Sequence, residues 1–290
     1  MAAARSGRCP PPGARFVALG DSITVGLGDG VTMGREHHRT AIHGRGFAAR
    51  LAERLGPPGT MHYTNLATTG ATARDVRTRQ LPVALTLDPQ VATVVAGMND
   101  VLKATFDPLR LRQDLIWTVS RLRAGGTVVL TATLPDPGRL LPLPAPVTRV
   151  LADRVGLLNA AVRAAARADP GVLVVDLDRH PAVRHRSSFD VDRVHPGPHG
   201  HRLIARAFAH RLAQAGIPLV GAPSGPVDAG GPDAAVTAPG TLRYSYWLLS
   251  VGLPWLAGRC LVGGDRHAYH TENRLVTHPR RAGEPLDCLR

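Results

Sequence analysis

A serine lies directly after an apolar run near the start of the chain, where Phe16–Leu19 gives way to the polar stretch Gly20–Thr24. A polar turn straight after a buried strand is costly unless something uses it. One interpretation makes Ser22 a nucleophile displayed at the end of a strand. The alternative is an ordinary strand-to-helix loop in which Asp21 or Ser22 caps the next helix. These residues alone leave both interpretations open.

Asp192 and His195, far along the chain, are the residue types that a serine nucleophile requires. Serine is a weak nucleophile at its free pKa, so it needs a base, and the base needs an orienting carboxylate. The three-residue spacing lets one tight loop supply both groups. The carboxylate would then meet one ring nitrogen of His195 while the other nitrogen points at Ser22.

Three further groups could donate hydrogen bonds to the oxyanion that forms when serine attacks a carbonyl. The turn that holds Ser22 offers a backbone N–H, and Gly70 can bring its N–H close because it has no side chain. The Asn99 carboxamide is a third donor. Asn99 and Asp100 could instead be turn residues, and we expect Asp100 to hold its loop through backbone hydrogen bonds.

The elements that must position these groups alternate regularly along the chain. Apolar runs predict strands over 15–19, 61–67, 91–96, 127–133 and 172–177, and helical spacing predicts helices over 46–55, 73–80, 107–122, 149–168 and 199–215. This alternation predicts an α/β fold with a five-stranded parallel sheet covered by helices on both faces. Ligands of such sheets bind at the carboxyl ends of the strands, where the candidate residues gather.

Four sequence blocks in this order resemble the SGNH hydrolases, also called GDSL lipases or esterases. The blocks are Gly20–Thr24, Gly70, Gly97-x-Asn99-Asp100 and Asp192-x-x-His195-Pro196. The resemblance covers about residues 14–215 and implies a flavodoxin-like three-layer α/β/α sandwich. A GxSxG motif, the signature of a different serine hydrolase fold, occurs nowhere in the sequence.

The resemblance also implies a catalytic role for each matching residue. Ser22 is expected to be the nucleophile and Asp192 and His195 its partners, with Ser22, Gly70 and Asn99 forming the oxyanion hole. The expected activity is hydrolysis of a small-molecule acyl ester through an acyl-Ser22 intermediate, with no cofactor and no metal. An acyltransferase or a thioesterase could use the same triad, and a binding or scaffold protein using the basic surface or the apolar tail is the non-enzymatic alternative.

The composition of the chain divides it into four parts. Residues 1–13 are expected to be a disordered N-terminus and residues 14–216 the hydrolase domain, followed by a Pro/Gly-rich linker over 217–241 and by an apolar arm and polar tail over 242–290. Two long loops, the His-rich 26–45 and the Pro-rich 135–146, are expected to rim the carboxyl edge of the sheet.

The net charge of +13 does not predict a nucleic-acid partner. Lys103 is the only lysine among 35 basic residues, and the arginines are scattered without aromatic interleaving, which is typical of a general preference for arginine. Three cysteines without CxxC spacing predict neither a disulfide framework nor a zinc site. We expect no metal to bind at either of two groups of residues, which are His195, His199 and His201, and Asp265, His267 and His270.

The N-terminus has no apolar segment of the kind found in secretory signals, so we expect a cytoplasmic location. We expect no integral membrane span, since the apolar stretch over 244–258 is short and contains Gly252 and Pro254. Peripheral membrane contact through residues 242–261 stays open, as does the oligomeric state.

Overall fold

Five short strands form one sheet in which every neighbouring pair is parallel. The structure is a computed structural model that describes residues 13–29, 46–57 and 60–220. The strand order is β2-β1-β3-β4-β5. The strands are β1 (Ala14–Gly20), β2 (Met61–Asn65), β3 (Val91–Val95), β4 (Val128–Thr133) and β5 (Val172–Asp176).

Helices connect the strands and cover both faces of the sheet. The strand order reverses direction after β2, so right-handed crossovers place α2 on one face and α4, α6 and α7 on the other. The last helix, α8, packs on α2. The helices are α1 (Ser22–Val25), α2 (Phe47–Leu55), α3 (Ala73–Asp75), α4 (Leu81–Thr86), α5 (Met98–Val101), α6 (Pro108–Ala124), α7 (Ala145–Ala168) and α8 (Pro198–Gln214).

The core lies on both sides of the central strands, which explains their unbroken apolar runs. Along β1, Phe16 and Ala18 pack with Phe47 of α2, whereas Val17 and Leu19 belong to a second apolar cluster. That second cluster holds side chains of α4 and α6. The sheet is therefore buried from both faces, and its carboxyl edge is where polar groups can reach a ligand.

Two helices depart from the sequence prediction because of proline positions. The helix expected over 73–80 continues to Thr86 through a π-helical turn, Val76–Gln80, and Pro82 lies in the first turn of α4. Helix α7 begins at Ala145, four residues before the expected start, with Pro146 in its first turn. Proline is tolerated there because the first N–H groups of a helix have no partner within the helix.

Strand β2 ends at Asn65, two residues before the predicted end. The chain beyond it leaves the regular ladder with β1, a change that bears on the site described below. The remaining predictions for 1–12, for the greater part of the His-rich loop (30–45) and for 221–290 lie outside the described residues. Within the described residues, no helix is long and apolar enough to cross a membrane.

Candidate active site

A tight turn at the end of β1 presents Ser22. Gly20 adopts a φ of +156°, and a Cβ atom there would lie 2.2 Å from the Val95 carbonyl oxygen, so only glycine fits between the strand ends. Asp21 caps the four-residue helix α1 by accepting a hydrogen bond from the Ile23 N–H at 3.1 Å. Ser22 is therefore the first residue of a helix at the carboxyl edge of the sheet, and it is buried.

The structure brings Ser22, His195 and Asp192 together in one hydrogen-bonded series. The Oγ atom of Ser22 lies 2.8 Å from Nε2 of His195, and Nδ1 of His195 lies 2.5 Å from Oδ2 of Asp192. A carboxylate only accepts hydrogen bonds, so Nδ1 carries the proton toward Asp192 and Nε2 is left to accept from the Ser22 hydroxyl. This is the arrangement in which a histidine can remove the proton of a serine.

The loop that carries His195 is folded back on itself. The Asp192 Oδ1 atom accepts the N–H groups of Val194 and His195, each at 2.9 Å, so this carboxylate is held by the backbone as well as by the imidazole. At the base of the loop, Phe189 and Pro196 form an antiparallel bridge. Asp190, two residues before Asp192, donates its N–H to the His195 carbonyl at 2.8 Å. These backbone contacts hold the imidazole in one position.

The charges of the site favour a proton on His195. Burial alone would lower the pKa of His195, but the hydrogen bond and charge of Asp192, together with the charges of Asp21 and Asp190, raise it above the ordinary value. Burial opposes ionisation of Asp192, yet the hydrogen bonds from His195 and Val194 hold the pKa of Asp192 below its ordinary value. The carboxylate thus stays charged and stabilises the imidazolium that proton transfer produces.

Asp21 is a second carboxyl group close to His195, and its pKa is shifted in the opposite direction from that of Asp192. It is almost completely buried, and burial raises its pKa to about 6. The nearby positive charge of a protonated His195 opposes this rise, while the charge of Asp100 adds to it. No arginine or lysine is among the groups that shift the pKa of Asp21.

The side chain of Asn99 lies between the turn of Ser22 and the loop that contains Gly70. Its Nδ2 atom donates to the Ala71 carbonyl at 3.1 Å and lies 3.5 Å from Oδ2 of Asp21. The turn before it is tight, because Gly97 has a φ of +117° and a Cβ atom there would overlap Leu158. Asn99 is buried in the first turn of α5, and Gly97, which precedes this helix, allows the chain to enter it.

Gly70 lies on the neighbouring loop. Its φ of +81° is one that favours glycine, and a Cβ atom there would have no atom of the described residues within 4 Å. The loop is fixed one step further on, where Ala73 donates its N–H to Asp100 at 2.9 Å. Asp100 thus holds the loop through a backbone hydrogen bond, as the sequence predicts.

Residues 18–203 match the GDSL-like lipase/acylhydrolase family, and this stretch is more than half of the 290 residues. The chain belongs to the GDSL-like lipase/acylhydrolase family. A relative in Mycobacterium tuberculosis, a GDSL-like esterase, is 28% identical over 242 residues, which are 79% of this chain and 71% of the relative. The match to the family therefore includes all four sequence blocks and covers most of the described residues.

Solved structures of similar fold include members named as lipases and hydrolases. An α/β hydrolase from the metagenome of Lake Arreo in Spain is 25% identical and superposes with a TM-score of 0.54, covering 71% of this chain and 96% of its own. A lipase/acylhydrolase from Enterococcus faecalis is 18% identical with a TM-score of 0.53, covering 71% of this chain and 97% of its own. The parallel sheet with flanking helices is the fold that this chain shares with these solved structures.

Gln80 is a buried residue at this GDSL site that sequence reasoning missed. Its side-chain amide accepts from the Gly20 N–H at 2.8 Å and donates to the Gly20 carbonyl at 2.9 Å. A glutamine at the end of a helical pattern carries no signal of such a role. The only hint in the sequence is that it precedes Leu81-Pro82, where the helix was expected to stop.

Other described histidines lie outside the hydrogen-bonded series of Ser22, His195 and Asp192. His201 is completely buried, accepts from the Phe47 N–H at 3.1 Å and donates to the Leu27 carbonyl at 3.0 Å. Burial lowers its pKa, which agrees with a neutral ring that joins α8 to both sides of the segment 30–45. His37, His38 and His43 lie outside the described residues.

Proposed function

We propose that this GDSL-family chain is a serine acylhydrolase that cleaves carboxylic esters through an acyl-Ser22 intermediate. The observation that carries the proposal is the unbroken series of hydrogen bonds from Ser22 through His195 to Asp192, at 2.8 and 2.5 Å. A serine that served only as a helix cap would not need a histidine on its hydroxyl. The esterase named among the relatives, at 28% identity, agrees with this activity.

In the first half of the reaction Ser22 Oγ attacks the ester carbonyl while His195 Nε2 takes its proton. The carbonyl π electrons move onto oxygen, and the tetrahedral intermediate carries an oxyanion. The imidazolium of His195 is stabilised by the adjacent Asp192 carboxylate. His195 then gives the proton to the alcohol oxygen, the C–O bond breaks, and acyl-Ser22 remains.

The oxyanion is proposed to lie among the backbone N–H groups of Ser22 and Gly70 and the carboxamide of Asn99. Two features support this set. Asn99 is held beside the Gly70 loop by one N–H, which donates to the Ala71 carbonyl at 3.1 Å, and Gly20 and Gly97 allow both turns to come close to the strand ends. One such donor is typically worth about 100- to 1,000-fold in turnover.

In the second half water replaces the alcohol. His195 removes a proton from water, which attacks the acyl carbon, and collapse of the second intermediate returns the proton to Ser22 Oγ. The net reaction is ester plus water giving acid plus alcohol. We expect the acyl group of the ester to be small or of medium length.

Hydrolysis of p-nitrophenyl esters of increasing chain length tests the proposal. The assay compares the wild-type chain with Ser22→Ala and with Ser120→Ala, a control at an exposed serine on α6. Loss of the nucleophile should remove at least about 1,000-fold of kcat, whereas the control should match the wild type. An unchanged Ser22→Ala rate would contradict the proposal, and addition of an alcohol acceptor would show whether acyl transfer competes with hydrolysis.

A further inference from the structure

The end of β1 lacks a regular strand partner on the side of β2. Ala18 and Gly20 both face that side, since Ala18 accepts from the Leu66 N–H at 2.8 Å and Gly20 from the Thr68 N–H at 3.3 Å. A regular parallel ladder would also give the Gly20 N–H a carbonyl from the neighbouring strand. Here that N–H donates to Gln80 instead.

Gln80 fills this gap as a substitute for a peptide group. A carboxamide is the side-chain group that offers a carbonyl acceptor and an N–H donor in the geometry of the backbone. Gln80 uses both on Gly20, at 2.8 and 2.9 Å, and its Nε2 atom also lies 3.4 Å from Oγ1 of Thr68. The side chain is thus wedged between the turn that leads to Ser22 and the segment that leads to Gly70.

The π-helical turn explains how Gln80 reaches this position. The turn Val76–Gln80 contains one residue more than an α-helical turn, with the Leu81 N–H bonded to the Val76 carbonyl. As a result Gln80 and its neighbour Leu81 are both buried against the sheet. Insertions of this kind are rare and are frequently found at functional sites.

The geometry points to Gln80 as a positioning residue of the proposed hydrolase, one that sets the separation between the Ser22 turn and the Gly70 loop. This inference rests on the proposed function, in which the Ser22 and Gly70 N–H groups bind the same oxyanion. Gly20 is two residues before Ser22, and Thr68 is two residues before Gly70. A side chain bonded to both therefore controls whether two donors converge on one atom, and displacement of about 1 Å at such a site can cost about 100-fold in rate.

The chain contains a matched control at the end of another strand. Asn159 accepts from the Leu134 N–H at 2.8 Å and donates to the Leu134 carbonyl at 2.9 Å, just after β4. Asn159 is as deeply buried as Gln80. It makes the same pair of bonds to one residue but touches neither the Ser22 turn nor the Gly70 loop in any hydrogen bond of the described residues.

The experiment compares Gln80→Met with Asn159→Leu in the full chain, by kcat and KM on a short-chain p-nitrophenyl ester, fluorophosphonate labelling rate and unfolding temperature. Both variants should unfold at a lower temperature, since each removes two hydrogen bonds and leaves a buried backbone N–H without its partner. Only Gln80→Met should lose kcat and labelling rate, by about 10- to 100-fold, with KM nearly unchanged. Asn159→Leu should stay within about twofold of the wild type in kcat.

Equal kcat in the two variants would overturn the role of Gln80 while leaving the proposed hydrolase intact. If Gln80→Met does not fold, Gln80→Glu, which keeps an acceptor for the Gly20 N–H, replaces it under the same criterion. A Ser22→Ala chain as active as the wild type would instead overturn the proposed function, and the Gln80 inference with it. The two failures are therefore distinguishable.

Discussion

Asp192 is the residue that decides which nitrogen of His195 faces Ser22. It accepts the Nδ1 proton and is itself held by two backbone N–H groups. Asp190, on the same loop, uses its carboxylate to accept the N–H of Val191 at 2.8 Å, whereas the imidazole Nδ1 contacts Asp192. The two aspartates are thus close in sequence but different in their contacts.

Replacement of Asp192 should therefore be far more damaging than replacement of Asp190. We expect Asp192→Asn to lower kcat by about 1,000- to 10,000-fold, since an asparagine can favour the wrong histidine tautomer. The kcat of Asp190→Asn should remain within about tenfold of the wild-type value, because the charge of Asp190 acts on His195 only by raising its pKa. Steady-state kinetics on one ester would check both, and a larger loss from Asp190→Asn would move the triad acid to that residue.

Asp21 links the stability of the protein to the pH range of its activity. Its pKa is raised by burial to about 6 from 3.8, so the folded state binds this proton more tightly than the unfolded state. Stability that depends on Asp21 is therefore present below the unfolded pKa and is lost as pH rises through about 6. The same charge raises the pKa of His195.

Asp21→Asn should accordingly increase stability at pH 8 and shift the activity profile. We expect a gain of about 1–3 kcal/mol in the free energy of unfolding at pH 8, and a much smaller change at pH 4. The acid limb of kcat/KM should move to lower pH, because His195 loses a neighbouring negative charge. Urea unfolding at both pH values and a pH–rate profile measure these effects. If Asp21→Asn raised the free energy of unfolding less at pH 8 than at pH 4, the raised pKa of Asp21 would be contradicted.

At the scale of elements, the site depends on turns that follow strands. A Cβ atom added to Gly20 would lie 2.2 Å from the Val95 carbonyl oxygen, which is too close for any side chain. Gly156, in the interior of α7, would place its Cβ in open space. The same substitution at the two glycines should therefore have opposite effects on stability.

Gly20→Ala should destabilise the chain by about 3 kcal/mol or more, since the new methyl group overlaps backbone. Gly156→Ala should stabilise it by about 0.5–1 kcal/mol through helix propensity. Thermal unfolding of both variants is the measurement. If Gly20→Ala unfolded at the wild-type temperature, the close contact between residue 20 and the Val95 carbonyl would be contradicted.

Much of this arrangement could be predicted from the sequence because its signals are local. The apolar runs of β1, β3, β4 and β5 stand out as buried strands, and the polar blocks that follow them are short and near the strand ends. The parallel order then brings those ends to one edge. Ser22, His195 and Asp192 could be grouped for that reason, before any distance was known.

The role of Gln80 could not be predicted, because it depends on how β2 leaves β1. Whether the Gly20 N–H lacks a strand partner is a property of the sheet, not of residues near position 80. The π-helical turn likewise follows from packing of Val76–Leu81 on the sheet. No pattern of helical spacing distinguishes such a turn from the end of a helix before a proline.

At the scale of the whole molecule, all the proposed catalytic groups lie within the described residues up to Val220. The last of them is His195, and α8 follows it to Gln214. Val220 is tied back to α2 by a hydrogen bond from its N–H to the Arg54 carbonyl at 2.8 Å. The described part thus forms a sheet with both faces covered.

A chain truncated after Val220 should therefore still hydrolyse a small soluble ester. We expect kcat within about tenfold of the full-length protein, because no group of the proposed mechanism is removed. The arm over 242–261 holds Tyr244, Tyr246, Trp247 and Trp255, so its removal should change solubility or the mass measured by light scattering. Complete loss of activity in a folded truncated chain would show that the later residues contribute to the site.

The most direct test of the central claim is the site of covalent labelling by a serine-directed fluorophosphonate, located by peptide mass spectrometry. The proposed mechanism predicts one label per chain, on Ser22, since the Ser22 hydroxyl lies 2.8 Å from Nε2 of His195. The label should be lost in Ser22→Ala and retained in Ser120→Ala. A label on another residue, or one that persists in Ser22→Ala, would contradict the assignment of Ser22 as the nucleophile.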